Sequence, residues 1–233
     1  KEIEINHEKH LKTNLLILAI GHSARDTFLM LREKQLQMEA KAFAVGFRVE
    51  HPQAMMNELQ YKGADMNYLP VAPYKVTAQT SGGRGVYSFC MCPGGFVVNA
   101  SSEEQRLAVN GMSYYKRDSA NANSAIIVSV TPQDFESDDA LAGVAFQRKL
   151  EEKAYTLGKG NIPQQLFGDF KANRTSASYG EFESCVKGKT RFANLRGMLN
   201  PGMEQAFLEG MENFGRKMAG FDRNDAILSG IES

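Results

Sequence analysis

Leu15-Leu16-Ile17-Leu18-Ala19-Ile20-Gly21-His22-Ser23-Ala24-Arg25-Asp26-Thr27-Phe28 is the stretch whose reading decides the fold, because an unbroken apolar run meets a glycine and then a polar helix start. Apolar side chains on both faces predict a strand covered on both sides, as in a parallel sheet. Gly21 permits a tight turn. Ser23, with Asp26 three residues on, has the spacing of a capping box for a helix that carries Phe28 and Leu31. Free N–H groups at that helix start would face whatever binds above the strand end. The same residues also suit an ordinary joint between strand and helix.

The chain opens at Lys1 with no initiator Met, and the apolar run follows almost at once. No glycine-rich dinucleotide fingerprint follows a first strand, so no segment here is expected to grip a pyrophosphate in the Rossmann manner. At the other end, Leu228-Ser229-Gly230-Ile231-Glu232-Ser233 shows no evident closing element. The expectation is a middle piece of a larger protein.

A chain of 233 residues holds one large domain or one and a half. Lys plus Arg and Asp plus Glu number 27 each, which gives no net charge to drive binding to nucleic acid or to an acidic membrane surface. The run Leu15 to Ile20 is far shorter than the ~18 residues of a membrane span. No signal-peptide pattern precedes it, so a soluble cytoplasmic protein is expected. Cys90, Cys92 and Cys185 make an odd set, unlike a secreted disulfide framework. Cys-x-Cys also lacks a second ligand pair, so reduced thiols without a metal are expected.

Beyond the opening strand, turn and helix, alternation over Ala42 to Glu50 predicts a strand with Phe43, Val45, Phe47 and Val49 on one face. A short helix and loop are expected from Met55 to Met66. Strands are expected at Tyr74 to Gln79, Gly85 to Met91, Phe96 to Ala100 and Asn123 to Val130, separated by glycine turns. After Pro132 the pattern turns helical. Leu141 to Leu157 has helical spacing with an acidic start and Gly158 as its stop. Pro201 follows Asn200 at a first helical position, and Met203, Ala206, Phe207, Met211, Phe214 and Met218 form an apolar stripe best read as core. The fold class is therefore α+β: a mixed sheet with a helical cap over 132–220, preceded by a strand-turn-helix piece of an α/β domain.

Val86-Tyr87-Ser88-Phe89-Cys90-Met91-Cys92-Pro93-Gly94-Gly95 puts two thiols on one face of a strand end, directly before a Pro-Gly-Gly turn. Cys90 or Cys92 could line a redox pocket, although small buried hydrophobes are the favoured reading of the thiols. For the turn the functional reading is favoured, because consecutive glycines leave backbone donors accessible to a ligand; Met91, Pro93, Gly94 and Gly95 are substrate-binding candidates. Arg48 and Glu50 fall opposite Phe47 and Val49, where a charged pair suits a solvated sheet face, and Arg48 is kept as a candidate contact. His51 could carry a proton, its ordinary pKa being ~6.5, but His22 is the better candidate because the glycine turn fixes it. Asn121 and Asn123 lead into an apolar strand and could cap the sheet edge or recognise a polar ligand. No nucleophile, base and orienter set has a local signature.

Five segments in order are similar to a family of bacterial FAD-dependent dehydrogenases of unassigned substrate: Ala19 to Thr27, Arg48-Val49-Glu50-His51-Pro52-Gln53, Tyr87 to Gly95, Asn110-Gly111-Met112-Ser113 and Asn121-Ala122-Asn123-Ser124-Ala125. Phe146-Gln147-Arg148 and Pro163-Gln164-Gln165 extend the resemblance through the later half. It implies a glutathione-reductase-like FAD-binding fold split around an inserted substrate domain. On that comparison 1–33 is a remnant of the FAD-binding domain and 34–233 the substrate domain. Leu15 to Gly21 resembles the late strand and Ala-x-Gly turn that closes over FAD, which makes Ile20, Gly21, His22 and Ser23 the implied cofactor contacts. Cys90 to Gly95 would lie nearest the isoalloxazine, with His22, Cys90 and Cys92 as catalytic candidates. The first glycine fingerprint of the family and its C-terminal flavin-contacting segment have no counterpart, so FAD is expected in the complete protein rather than on this chain alone.

The leading reading is thus the substrate domain of an FAD-dependent oxidoreductase, whose partners are a small-molecule substrate and the FAD-binding segments of the same protein, with the flavin carrying the redox step. A second reading is a non-catalytic small-ligand-binding or interaction domain of the same fold. A third, a thiol redox protein using Cys90 and Cys92, is disfavoured because a one-residue spacer strains a disulfide.

Overall fold

Strand β3 (Phe43–Pro52) shows how the main sheet is made, because its alternating residues are buried on both sides by different materials. The computed structural model describes residues 2–135 and 137–233. They fall into two compact units, Lys1–Met38 and Glu39–Ser233.

The smaller unit pairs β1 (Glu2–Ile5) with β2 (Lys9–Lys12) as an antiparallel hairpin, turning through Asn6 and His7 at positive φ. Helix α1 (Arg25–Glu33) forms in the expected place, but Ala24 stands at its start and no side chain caps it. Asp26 Oδ1 instead accepts from the neighbouring Thr27 N–H, 2.8 Å away, so the Ser23–Asp26 capping box is not made. Gly21 has the left-handed φ of +73° that a turn requires. The predicted strand over Leu15 to Ile20 is corrected. This run has no strand beside it among the described residues, and Leu15 and Ile17 are 76% and 79% exposed. Apolar content alone does not make a strand, whose peptide groups need a hydrogen-bonded neighbour.

The larger unit is built on a seven-stranded sheet in the order β11-β9-β12-β3-β8-β5-β4. Its members are β3, β4 (Thr77–Gln79), β5 (Gly85–Cys92), β8 (Asn121–Val130), β9 (Ile162–Leu166), β11 (Thr190–Phe192) and β12 (Ile227–Glu232). Every neighbouring pair is antiparallel except β11 with β9. A three-stranded sheet joins β10 (Val186–Lys187), β6 (Phe96–Asn99) and β7 (Val109–Met112). Helices α2 (Gln53–Tyr61), α3 (Ala142–Gly158), α4 (Phe167–Lys171) and α5 (Pro201–Lys217) complete the unit. The α+β class is therefore as read.

Two segments differ from expectation. The C-terminal stretch thought to lack a closing element is β12, a strand between β9 and β3. The stretch 132–220 carries α3, α4 and α5, and it also delivers β9, β10 and β11. Strand β9, Ile-Pro-Gln-Gln-Leu, is buried along its whole length, so it lacks the alternation that reveals a strand with one wet face.

One face of the sheet is apolar. Val45, Phe47 and Val49 point together, as predicted, and the Phe47 ring meets Phe170 and Phe207 edge-on at 5.6 and 5.1 Å. Asn200 Oδ1 caps α5 by accepting from Met203 N–H at 2.9 Å. The helix then lays Met203, Phe207, Met211 and Phe214 into the core. Gly210 lets it come close, since a Cβ there would stand 2.5 Å from Val86 Cγ1. On the other face Arg48 and Glu50 are fully buried, which corrects the solvated sheet face expected of them. Gly111 of β7 lies against Arg48, which bonds Asn123 and Glu232, and the segment around Ser184 bonds Glu50.

Candidate functional site

The Pro93-Gly94-Gly95 turn is the hinge of the site, although not in the way the sequence suggested. Strand β5 loses register with β8 between Phe89 and Cys92, with Cys90 in the left-handed region, and the chain then turns back at Pro93. All three turn residues are buried. Gly94 N–H donates to Gln53 Oε1 at 2.7 Å and Gly95 N–H to the Asn121 carbonyl at 2.9 Å. The donors expected to be free for a ligand are therefore engaged. What the glycines provide is room: a Cβ on Gly94, at φ +46°, would overlap the Arg117 carbonyl. Tyr114 to Arg117 sit against this turn, with Ser119 N–H donating to the Gly94 carbonyl at 3.2 Å and Ser113 Oγ to that of Pro93 at 2.7 Å.

Between these two turns opens a cleft of about 680 Å³. Met91, Cys92 and Pro93 form one wall, Ser113 to Arg117 another, and Pro70 with Val71 an end. Behind Cys92 lies Arg48. Its Nε donates to Asn123 Oδ1 at 2.7 Å, Nη1 to Glu232 Oε2 at 2.9 Å, and Nη2 to the Cys90 carbonyl and to Cys92 Sγ, the latter at 3.2 Å. Gly111 makes space for this guanidinium, because any side chain there would overlap Nη2. Burial pushes the Cys92 thiol up and Arg48 only partly offsets it, so the thiol is neutral at neutral pH. Burial likewise raises Glu232, against the pull of Arg48.

The remaining candidates are dispersed. Glu50 is held by Ser184 Oγ, Cys185 N–H and Asn121 Nδ2, and its burial raises its pKa. It anchors the segment around Ser184 to the sheet rather than facing the cleft. Asn121 and Asn123 belong to these buried contacts, and Asn123 Nδ2 has no partner among the described residues. His51 points to the apolar face, where Nε2 donates to the Phe221 carbonyl at 2.6 Å and burial drives its pKa down to about 4. It does not line the cleft. Cys90 is exposed and does not line the cleft either. Ile20, Gly21, His22 and Ser23 belong to the Lys1–Met38 unit, where all four are exposed and the side chains of Ser23 and His22 meet each other, Oγ to Nε2 at 3.5 Å.

Sequence reasoning missed Tyr114 to Arg117. Its signal was present: two tyrosines and two cations directly after Asn110-Gly111-Met112-Ser113. A larger cleft of about 920 Å³ runs along α3, floored by Phe146, Leu150, Leu157 and Met198. Arg196 on its rim already binds Glu204, with Nε 3.0 Å from Oε2, and Lys153 reaches the Gly197 and Met198 carbonyls. Size alone does not select it; the smaller cleft combines a close approach at Gly94, a thiol and cations.

A protein of Clostridium beijerinckii (strain ATCC 51743 / NCIMB 8052), described as an uncharacterized protein, is 48% identical over 230 residues, 97% of this chain and 43% of the relative. The chain thus spans less than half the length of that relative. Among the described residues no helix is long and apolar enough to cross a membrane. Residues 42–233, nearly the whole of the larger unit, match the family described as FAD-dependent protein, C-terminal domain-like, and the chain belongs to that family.

Proposed function

We propose that the Glu39–Ser233 unit is the substrate domain of an FAD-dependent oxidoreductase, and that the cleft between Met91–Pro93 and Tyr114–Arg117 is the wall of a pocket facing the isoalloxazine. The carrying observation is the seating of the Tyr114–Arg117 turn on Gly94, which fixes an aromatic and cationic wall opposite Met91 and Cys92. The cleft offers a surface on which a flat substrate can lie beneath the flavin ring, and nothing for the FAD pyrophosphate. Met91, Pro93 and Tyr114 offer apolar surface, whereas the Gly94 and Gly95 N–H groups are already bonded to Gln53 and Asn121.

FAD supplies the hydride chemistry when bound. The chain's own part is to orient a substrate, exclude water and hold a proton on Cys92 Sγ, which burial retains while Arg48, 3.2 Å away, positions the sulfur. The phosphates would be held by segments of the longer protein, and a cytoplasmic setting is part of the same proposal. A tyrosine beside a flavin quenches its fluorescence by electron transfer, and phenylalanine does not. In the longer flavoprotein, Tyr114→Phe should lengthen the flavin fluorescence lifetime by removing that quencher, while Tyr155→Phe on the outer surface of α3 should not. Equal lifetimes in the two variants would remove the flavin from this cleft.

A further inference from the structure

The charges around the cleft are one-sided. Lys116 and Arg117 line it, no carboxylate does, and neither cation has an ion pair among the described residues. Elsewhere arginines find acids: Arg84 meets Asp134, Arg148 meets Glu103, and Arg223 meets Asp225. A third cation, Lys187, stands 4.9 Å from the centre of the Tyr114 ring. The protein as a whole has no net charge, so this concentration does not follow from a basic composition.

The cations are also mounted firmly. Arg117 N–H donates to the Tyr114 carbonyl at 3.0 Å, closing the turn, and the turn rests on Gly94 with no room for a Cβ between. Cations beside a low-dielectric apolar wall attract an anion more strongly than cations in open solvent, and a guanidinium adds a forked donor that fits a carboxylate. Pro70, Val71, Met91 and Pro93 provide that wall. The volume of about 680 Å³ lies within the range of small-molecule pockets, roughly 300–1,000 Å³.

We infer that this cleft binds a small organic carboxylate with a flat apolar body, its anionic end at Lys116 and Arg117 and its body against Met91, Pro93 and Tyr114. The inference names the substrate class for the site and so rests on the reading of that cleft as the substrate pocket. An anion there could also be a phosphate, and the test separates the two.

The probes are cinnamate, its neutral isostere cinnamamide, and inorganic pyrophosphate, each titrated into this chain and followed by NMR shifts. Cinnamate should bind at least tenfold more tightly than cinnamamide, with shifts at Tyr114 to Arg117, and pyrophosphate should not displace it. The exposed double variant Lys116→Gln/Arg117→Gln should lose that tenfold preference while binding cinnamamide as before; Lys153→Gln, at the larger cleft, should change nothing. Equal affinity for the acid and the amide, an unaltered double variant, or displacement by pyrophosphate would each overturn the carboxylate assignment. Because no flavin enters this titration, its outcome is separate from the fluorescence test. A preserved cinnamate preference with no lengthening of the lifetime in Tyr114→Phe would keep the anion site and remove the flavin from it, and lengthening without the preference would do the reverse.

Discussion

At the scale of single residues, Arg48 carries the most consequence, because one guanidinium joins β3, β5, β8 and β12 through four partners. Removing one member of a buried charged pair leaves the other unpaired, and Arg48→Ala should lower unfolding free energy by about 3–5 kcal/mol in urea titrations. A loss below 1 kcal/mol would show that the network is slack. Gly111→Ala should displace the same guanidinium and weaken the fold in the same assay, since its Cβ and Nη2 cannot share the space. His51 gives a pH signature. Its folded pKa, about 4, lies below the unfolded value near 6.5, so the native state binds fewer protons in that window. Stability should fall as pH drops from 6.5 to 4, by about 3 kcal/mol at the lower end. His51→Gln should flatten that slope, and an unchanged slope would mean that other groups set the acid limit. Glu50 acts in the opposite sense: burial raises its pKa, so its contribution is present below the ordinary carboxylate range and is lost as pH rises through the folded value.

At the scale of elements, α5 holds the apolar face of the sheet. Its Phe207 ring contacts Phe47, Phe167 and Phe170, with centroids 5.1, 6.5 and 5.5 Å away. Phe207→Ala should cost about 3–5 kcal/mol, through lost burial and the cavity left behind. Asn200→Ala removes only the cap and should cost about 1 kcal/mol, which places it well below the core substitution in thermal or urea melts. The reverse order would mean that the end of α5, not its apolar stripe, secures it. The turns work differently from the helices. Gly94 and Gly111 contribute by lacking a side chain where backbone or guanidinium must pass.

At the scale of the whole molecule, the question is where the flavin is held. The chain covers 43% of its Clostridium relative, and the turn rich in glycine has no backbone donors left for a pyrophosphate. The purified chain should therefore be colourless and should leave the spectrum of added FAD unchanged, while the longer protein should be yellow. Near-stoichiometric flavin absorbance on this chain would show that its own residues suffice for binding.

The sequence by itself determined the strands with one apolar face and the two long helices, because periodicity is local: Phe43, Val45, Phe47 and Val49 alternate, and the stripe from Met203 to Phe214 repeats at helical spacing. It also marked Met91, Cys92 and Pro93, which do line the cleft. Only the tertiary structure decided the fate of Leu15 to Ile20, since a strand exists only beside another strand. It alone revealed β9 and β12, whose burial on both faces erases alternation, and turned Arg48 and Glu50 from surface charges into buried anchors by bringing Glu232 and Ser184 to them across long stretches of chain. Tyr114 to Arg117 stand out in the sequence as two tyrosines and two cations, but not as a wall. Its meaning depends on Gly94, and contact between those segments is a property of the folded backbone that no local pattern encodes.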